Sequence, residues 1–242
     1  MYDEKSVLAA VDQHTVLVLA LCGGALVCNL VWFALSVSAS RRDRAASCSL
    51  FAVIVFGCND GSYLYRFDEW FGQRDHWFPQ LFWIALLATV AFEALFWRQQ
   101  WRFGHSELAP FLTVGQFRAA LVVMTAAAFM VWEQLKATLD DPLYLGSFTI
   151  LIVLSPVCGM AVFSRRGNGR GQSAGMWWWF SAMSALWLVG STVGLGETVR
   201  SFWWCGSLAV STLWGIAMAL LVARHPTGIP GGDASATTLA EV

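Results

Sequence analysis

The sequence predicts an all-α membrane protein, a polytopic bundle of seven transmembrane helices with its N-terminus outside and its C-terminus in the cytoplasm. Seven apolar segments follow one another, and each has about the 20 residues that a helix needs to cross a bilayer. Arginines concentrate in alternate breaks between these segments. The chain has 57% hydrophobic and 13% charged residues, and the breaks between its apolar segments are too short to hold a soluble domain.

The predicted spans are residues 15–37, 45–65, 78–97, 112–135, 143–163, 174–195 and 202–222. The first is longer than the core of a signal peptide and has an acidic flank, so we expect it to be retained. Together they predict one seven-helix transmembrane domain over residues 1–226. Residues 227–242, which are rich in glycine, alanine and threonine, are expected to be a disordered cytoplasmic tail.

The charges in the breaks predict the orientation. Basic residues follow the first, third, fifth and seventh segments: Arg41, Arg42, Arg44, Arg98, Arg102, Arg165, Arg166, Arg170 and Arg224. The other breaks are mostly acidic: Asp3, Glu4, Asp12, Asp68, Glu69, Asp75, Asp140 and Asp141. The positive-inside rule then places the N-terminus outside, and an odd number of spans places the C-terminus inside. We expect a bacterial plasma membrane, or an endomembrane if the source is eukaryotic.

Several chemistries of membrane proteins are disfavoured. A retinal Schiff base needs a lysine inside the membrane, whereas Lys5 is predicted outside and Lys136 at the end of a span. The four histidines lie at span ends or in loops, and the six cysteines form no CxxC motif, so neither a metal site nor a disulfide framework is indicated. Asp140 and Asp141 precede proline and are better interpreted as a solvated turn than as half of a DDxxD diphosphate site. The near-neutral net charge gives no indication of nucleic-acid binding.

Acids inside the spans are the candidates for chemistry, because a carboxyl at membrane depth usually faces the interior of the bundle. Asp60 is the best candidate: Asn59 is beside it, Tyr63 shares its helix face, and a low-dielectric surrounding favours the protonated form that a Brønsted acid needs. Glu133 and Glu197 approach the same outer side, where each could simply reach interfacial water. Glu93 lies toward the inner end of its span, where pairing with Arg98 or Arg102 is the expected arrangement.

The chain has 14 tryptophans and 17 phenylalanines, which is more than two interfacial belts require. Those near span ends, such as Trp203, have an ordinary explanation as membrane anchors. Trp32, Trp83, Trp187 and Trp214 lie deeper. Their collective excess suits an apolar chamber in which aromatic faces stabilise a cation, although packing remains the commoner role for any one of them.

Four places carry a family resemblance. They are Asn29 with Trp32 in the first span, Cys58 with Asn59 in the second, the glycine-containing turn 103–107, and the Arg/Gly-rich turn 164–173 followed by Trp177. In this order they resemble the integral-membrane terpene cyclases of fungal meroterpenoid and indole-diterpene pathways and their bacterial relatives that act on prenylated indoles. The resemblance implies seven helices around a chamber, a carboxyl that protonates an epoxide or alkene, and cyclisation without metal, cofactor or loss of diphosphate.

The chain also departs from that family's pattern. Where the family has a Trp and a catalytic Glu after the Cys-Asn pair, this sequence has Ser62 and Tyr63, and Asp60 is one turn earlier. The family's second acid lies in the last span, where no acid occurs between Ser201 and Ala223 and Thr212 stands near the expected position. Asp60 is therefore a hypothetical substitute for the family's acid.

The leading hypothesis is a cofactor-independent terpene cyclase acting on a prenylated aromatic or linear terpenoid within the lipid bilayer. The candidate catalytic residues are Asp60, as the acid, and Tyr63, Glu133 and Glu197, one of which takes the final proton. The candidate substrate-binding residues are Asn29, Trp32, Asn59, Trp83, Trp187, Trp203 and Trp214. The alternatives are a seven-span small-molecule transporter and a structural subunit of a membrane complex.

Overall fold

A computed structural model describes residues 2–139 and 141–226, and this part of the chain is built from helices without β-strands. Asp140 and the predicted tail at 227–242 lie outside the described residues. The α-helices are α1 (Glu4–Gln13), α2 (Thr15–Asp43), α3 (Leu50–Leu64), α4 (Trp77–Gln99), α5 (His105–Leu108), α6 (Val114–Leu139), α7 (Leu145–Arg166), α8 (Ala174–Gly194) and α9 (Phe202–Arg224). π-Helical turns at Glu69–Gln73 and Gln100–Gly104 and a 3₁₀ turn at Glu197–Val199 complete the order.

Six of the long helices form a closed ring. Going round it, α2 packs on α4, α4 on α3, α3 on α7, α7 on α9, α9 on α8, and α8 returns to α2. The remaining long helix, α6, packs outside the ring against α3. The side chains that point into the ring are therefore enclosed by six helices.

Five of the described helical stretches are long and apolar enough to cross a membrane: Thr15–Asp43, Trp77–Leu108, Val114–Leu139, Leu145–Arg166 and Phe202–Arg224. They support a multi-pass membrane protein. Two of the predicted spans do not reach this standard. Helix α8 has the length but is interrupted by serine, glycine and tryptophan, and α3 is apolar but has only 15 residues.

Helix α3 is shorter than the predicted span 45–65 because polar residues cap its start. The Ser49 hydroxyl accepts a hydrogen bond from the Ala52 N–H at 3.1 Å, which is the usual role of an N-cap serine. Before it, Ser47 donates from its hydroxyl and backbone N–H to Gln99 Oε1 at 2.9 and 3.1 Å. Residues 45–49 therefore form a hydrogen-bonded connection to the end of α4 rather than a helical turn.

The end of the bundle that holds the breaks rich in acidic residues, called here the acidic end, is crossed by α1, which the sequence interpretation did not anticipate. Val7 and Val11 of α1 are fully buried. The Tyr2 hydroxyl donates to Asp141 Oδ1 at 2.6 Å, and burial together with this carboxylate raises the pKa of Tyr2 above its usual range. Glu4 pairs with Arg74 at 2.6 Å. These contacts hold helix α1 against this end of the bundle.

The Asp141 side chain departs from the prediction of a solvated turn. It is buried and accepts hydrogen bonds from the backbone N–H groups of Gly146 and Ser147 at 3.2 and 2.7 Å, in addition to the Tyr2 hydroxyl. These N–H groups belong to the first turn of α7 and have no partner within the helix. Asp141 therefore caps α7, and its carboxylate is occupied by this role.

At the opposite end, called here the arginine-rich end, Glu107 joins two connections. Glu107 accepts from Arg166 Nε and Nη2 at 2.6 and 2.7 Å and from Arg165 Nη2 at 2.6 Å. Arg166 Nη2 also donates to the Ala46 carbonyl at 2.9 Å. Two of the segments that carry the family resemblance, residues 103–107 and 164–173, are thereby brought into contact through a bidentate ion pair.

A proline inside α7 shapes the interior wall of the ring. Pro156 has no N–H to donate to the Ile152 carbonyl one turn earlier. Ser211 of α9 donates to this carbonyl at 3.0 Å, so the freed acceptor is satisfied by a neighbouring helix. Ile152 and Ser155 lie on the wall that faces the ring interior.

Candidate active site

Two carboxyl groups meet inside the ring. Asp60 of α3 and Glu93 of α4 are each only 5% exposed, and their side chains are in hydrogen-bonding contact. A hydrogen bond between two carboxyl groups requires a proton on one of them, because an ionised carboxylate only accepts. No arginine, lysine or histidine of the described residues forms an ion pair with either acid. The pair is therefore suited to share a proton.

Neighbouring polar groups hold Asp60 in place. The Asn59 side-chain amide donates to Asp60 Oδ1 at 2.8 Å, and the Trp132 indole of α6 donates to Asn59 Oδ1 at 3.2 Å, which fixes the orientation of that amide. Thr89 Oγ1 lies 2.7 Å from Asp60 Oδ2 and 3.0 Å from the Leu86 carbonyl. Since a hydroxyl has a single hydrogen, a protonated Asp60 can donate to Thr89 while Thr89 donates to Leu86.

Glu93 has no other polar partner in the described part of the chain. Its buried Oε2 atom accepts no hydrogen bond from an amide, hydroxyl or cationic group among the described residues, which leaves Asp60 as its polar contact. Both acids border a small cavity whose other walls are Asn29, Trp32, Phe33, Phe56, Phe148, Leu151, Ile152, Ser155 and Met183. A buried carboxyl pair beside an aromatic cavity is suited to give a proton to, or take one from, an apolar ligand.

A larger cavity of about 110 Å³ adjoins the first. The two cavities share Asn29, Phe148 and Met183 as lining residues, so these side chains lie between them. Most other walls of the larger cavity are apolar or aromatic, including Phe78, Phe82 and Trp187. Trp187 packs edge-on against Phe148 at 5.1 Å between ring centroids. The two neighbouring cavities are called here the chamber, and the carboxyl pair borders the smaller of them.

The structure brings part of the predicted site to this chamber. Asn29 and Trp32 line it from α2, and Trp187 lines it from α8. Asn59 is buried and touches Asp60 rather than the cavity. Together with Asp60, these residues form one site contributed by α2, α3 and α8, and their roles in substrate binding or catalysis stay predictions.

The three predicted bases lie elsewhere. Tyr63 donates its hydroxyl to the Tyr144 carbonyl at 2.8 Å and does not contact Asp60. Glu133 is paired with Lys136 at 2.8 Å and with Arg66 at the acidic end. The Glu197 side chain is 92% exposed and lies 3.6 Å from Arg200. None of the three lines either cavity of the chamber. Each has a partner at the acidic end instead.

Three predicted substrate-binding tryptophans are also outside the chamber. Trp203 is 80% exposed at the start of α9, which fits a membrane anchor. Trp83 donates its indole N–H to the Leu64 carbonyl at 3.2 Å and packs on Phe67 and Phe71. Trp214 packs against the main core without lining a cavity.

Sequence reasoning missed Glu93 as a partner of Asp60. The expected pairing of Glu93 with Arg98 or Arg102 is wrong, because the Glu93 side chain points into the ring toward α3. A signal was present: Thr89 and Glu93 are four residues apart and form a polar stripe on one face of an otherwise apolar helix. Lys136 was also underestimated, since it is buried beside Ser62 with its ammonium 4.7 Å from the Tyr144 ring centroid.

Comparison with known proteins identifies no relative, since no protein family, no curated protein and no solved structure matches this chain. Its function must therefore be inferred from the site.

Proposed function

We propose that the protein is a membrane-bound terpene cyclase that starts its reaction by protonation. The observation that carries this proposal is the buried Asp60–Glu93 pair beside an aromatic, apolar chamber. This arrangement agrees with the sequence resemblance to the integral-membrane terpene cyclases, with Asp60 in place of the family's acid. The support is the chemistry of the site together with that resemblance.

The proposed topology has seven spans with the N-terminus outside and the C-terminus in the cytoplasm. Helices α3 and α8 are assigned as spans because each lies in the ring between helices that are long and apolar enough to cross. The contacts at the arginine-rich end join segments that the positive-inside rule assigns to the cytoplasm. The acidic end with α1 then faces outward.

The reaction begins when the carboxyl pair donates its proton to the terminal alkene or epoxide of a prenyl chain. A carbocation forms, and successive C=C π electron pairs attack it to make ring C–C bonds. Trp32, Phe33, Phe148 and Trp187 border the chamber and are placed to stabilise the positive charge through their ring faces.

The reaction ends when the last cation loses a proton from an adjacent carbon to the pair, which is then a carboxylate. The proton count is restored, and the product is an isomer of the substrate. Both acids border the cavity, so the pair itself is placed to accept this proton, a role that the sequence assigned to more distant groups. The apolar walls keep water from capturing the cation.

The test is product formation by the whole protein in membranes. The protein is incubated with farnesylated and geranylgeranylated aromatic substrates, with and without a terminal epoxide. Products of unchanged mass and altered retention are expected. Uptake of unchanged label into sealed vesicles would instead indicate a transporter, and neither product nor uptake would contradict both functions and favour a structural subunit.

A further inference from the structure

The chamber has an opening between α2 and α4 toward the side of the bundle. Leu19 of α2 and Leu81 of α4 line the larger cavity and are 45% and 46% exposed. Both lie in the half of their helices near the acidic end. A cavity wall that is half exposed between two membrane helices faces lipid rather than water.

The aromatic contacts between the two helices lie in the other half. Nearer the arginine-rich end, Phe33 of α2 packs on Phe92 and Phe96 of α4 with ring centroids 5.7 and 5.1 Å apart. Nearer the acidic end the cavity lies between them, and a Cβ atom built on Gly23 meets nothing within 4 Å. The gap is therefore bounded by aromatic contacts at its inner end.

Helix α1 obstructs the alternative route from the outer aqueous phase. The Trp77 indole, which also lines the cavity, donates to Asp12 Oδ1 at 2.8 Å, and this bond holds the pKa of Asp12 below its usual range. Gly196, in the connection between α8 and α9, lies against Ala10 of α1, whose methyl group would be 3.2 Å from an added Cβ. Helix α1 is thus tied to α4 and packs on the α8–α9 connection.

The lining indicates the chemical class of the ligand. No arginine, lysine or histidine among the residues that the structure describes lines either cavity, so a diphosphate group would be desolvated without a counter-charge. The polar side chains at the larger cavity are Thr89 and Asn29, and the Asn29 amide makes no hydrogen bond to another residue in residues 2–139 or 141–226. The chamber suits a neutral chain with at most one oxygen near its buried end.

From this geometry we infer that the α2–α4 opening is the entrance for a neutral isoprenoid chain from the outer leaflet. The chain lies along α2 from Leu19 to Asn29, a length of about 15 Å at the rise of an α-helix, with its terminal alkene or epoxide at Asp60 and Glu93. Its head group stays near Trp77. This inference rests on the proposed cyclase function, and it requires that any diphosphate has been removed by an earlier prenyl-transfer reaction.

The experiment uses the whole protein in lipid nanodiscs and a farnesyl ether of an aromatic alcohol that carries a photoreactive diazirine on the chain. Adducts are mapped by mass spectrometry. We expect them on residues 18–29 and 77–89. Adducts spread equally over the lipid-facing surfaces of α6 and α9, or equal labelling of the two predicted segments by a palmitoyl diazirine probe, would overturn the inference.

Gly23→Leu provides the decisive variant because the new side chain enters open cavity space. We expect a several-fold decrease in adducts on residues 77–89 and a similar decrease in product formation. Gly57→Leu in α3 is the matched control, since Gly57 is equally open to an added Cβ and does not line the cavity. Undiminished labelling of Gly23→Leu would contradict the inference.

A second variant tests the opposite wall. Ala85→Leu narrows the gap from α4 and is expected to act like Gly23→Leu, so the inference remains testable if one variant folds poorly. Labelling of the predicted segments without any cyclisation would retain the binding site and reject the cyclase. Cyclisation with labelling elsewhere would retain the cyclase and reject this entrance.

Discussion

The Asp60–Glu93 pair and the Glu107 cluster are two acidic sites with opposite surroundings. Glu107 is neutralised by Arg165 and Arg166, and its oxygens are fully engaged. Asp60 and Glu93 face each other, no cation of the described residues pairs with either, and both border a cavity. A buried carboxyl that only supports the fold needs a partner of opposite charge, whereas a carboxyl that transfers protons needs a place for the ligand beside it.

The largest effect that separates the two sites is expected from Glu93→Gln. The amide keeps the shape of the side chain and can donate to Asp60, but it cannot take a proton from a carbocation. Product formation should fall by about 10²- to 10⁴-fold, the usual contribution of a general acid or base. The apparent Tm in detergent should stay unchanged or rise, because one buried acid has been removed. Activity within twofold of the wild type would contradict the proposed role of Glu93.

The corresponding substitution at the other site, Glu107→Gln, is expected to lower stability and to leave product formation unchanged. It leaves Arg166 buried without its carboxylate and should lower the free energy of unfolding by about 2–3 kcal/mol, somewhat less than for a fully buried pair. Thermal unfolding in detergent measures this loss as a lower Tm. Product formation per folded molecule should remain near the wild-type value. A large loss of activity at unchanged Tm would show that Glu107 acts in the reaction rather than in the stability of the fold.

A smaller effect is expected from Ser211→Ala. The variant removes the donor to the Ile152 carbonyl that Pro156 leaves without an intrahelical partner, and an unsatisfied buried acceptor costs about 1–2 kcal/mol. The measurement is again the Tm in detergent. The double variant Ser211→Ala with Pro156→Ala should recover most of the loss, since alanine restores the helical N–H. If the double variant does not recover stability, Ser211 does not act by satisfying the Ile152 carbonyl.

The smallest effect is expected from Glu133→Gln at the acidic end. That ranking refers to product formation: the Lys136 side chain is only 1% exposed, so the loss of stability should resemble that of Glu107→Gln, about 2–3 kcal/mol. Product formation should stay within twofold, because Glu133 does not reach the chamber. A loss of activity comparable to that of Glu93→Gln would show that Glu133 takes part in the proton transfer.

The sequence located most of the long helices because apolar segments and polar breaks alternate clearly. The prediction for 202–222 matches the start of α9 and falls two residues short of its end at Arg224. The prediction for 45–65 was less accurate, because apolar residues precede the Ser49 cap. Helix α1 was missed, since its burial depends on contacts with distant loops such as Tyr2 with Asp141.

The candidate site was only half predictable. Asp60 stands out as an acid in an apolar segment, and its burial was expected from composition. Its partner was not, because the contact with Glu93 depends on the relative depth of α3 and α4, and no periodicity within one helix records that depth. Conversely, Tyr63 shares a helix face with Asp60, yet its hydroxyl is directed to the Tyr144 carbonyl of a neighbouring segment.

The rate of product formation by Asp60→Asn, measured per folded protein against the wild type, tests the central claim most directly. The substitution preserves the size of the side chain and its contacts with Asn59 and Thr89, but it removes the acid. We expect a folded protein with unchanged Tm and product formation reduced by at least about 10²-fold. Turnover of the same substrate at the wild-type rate would contradict the central claim.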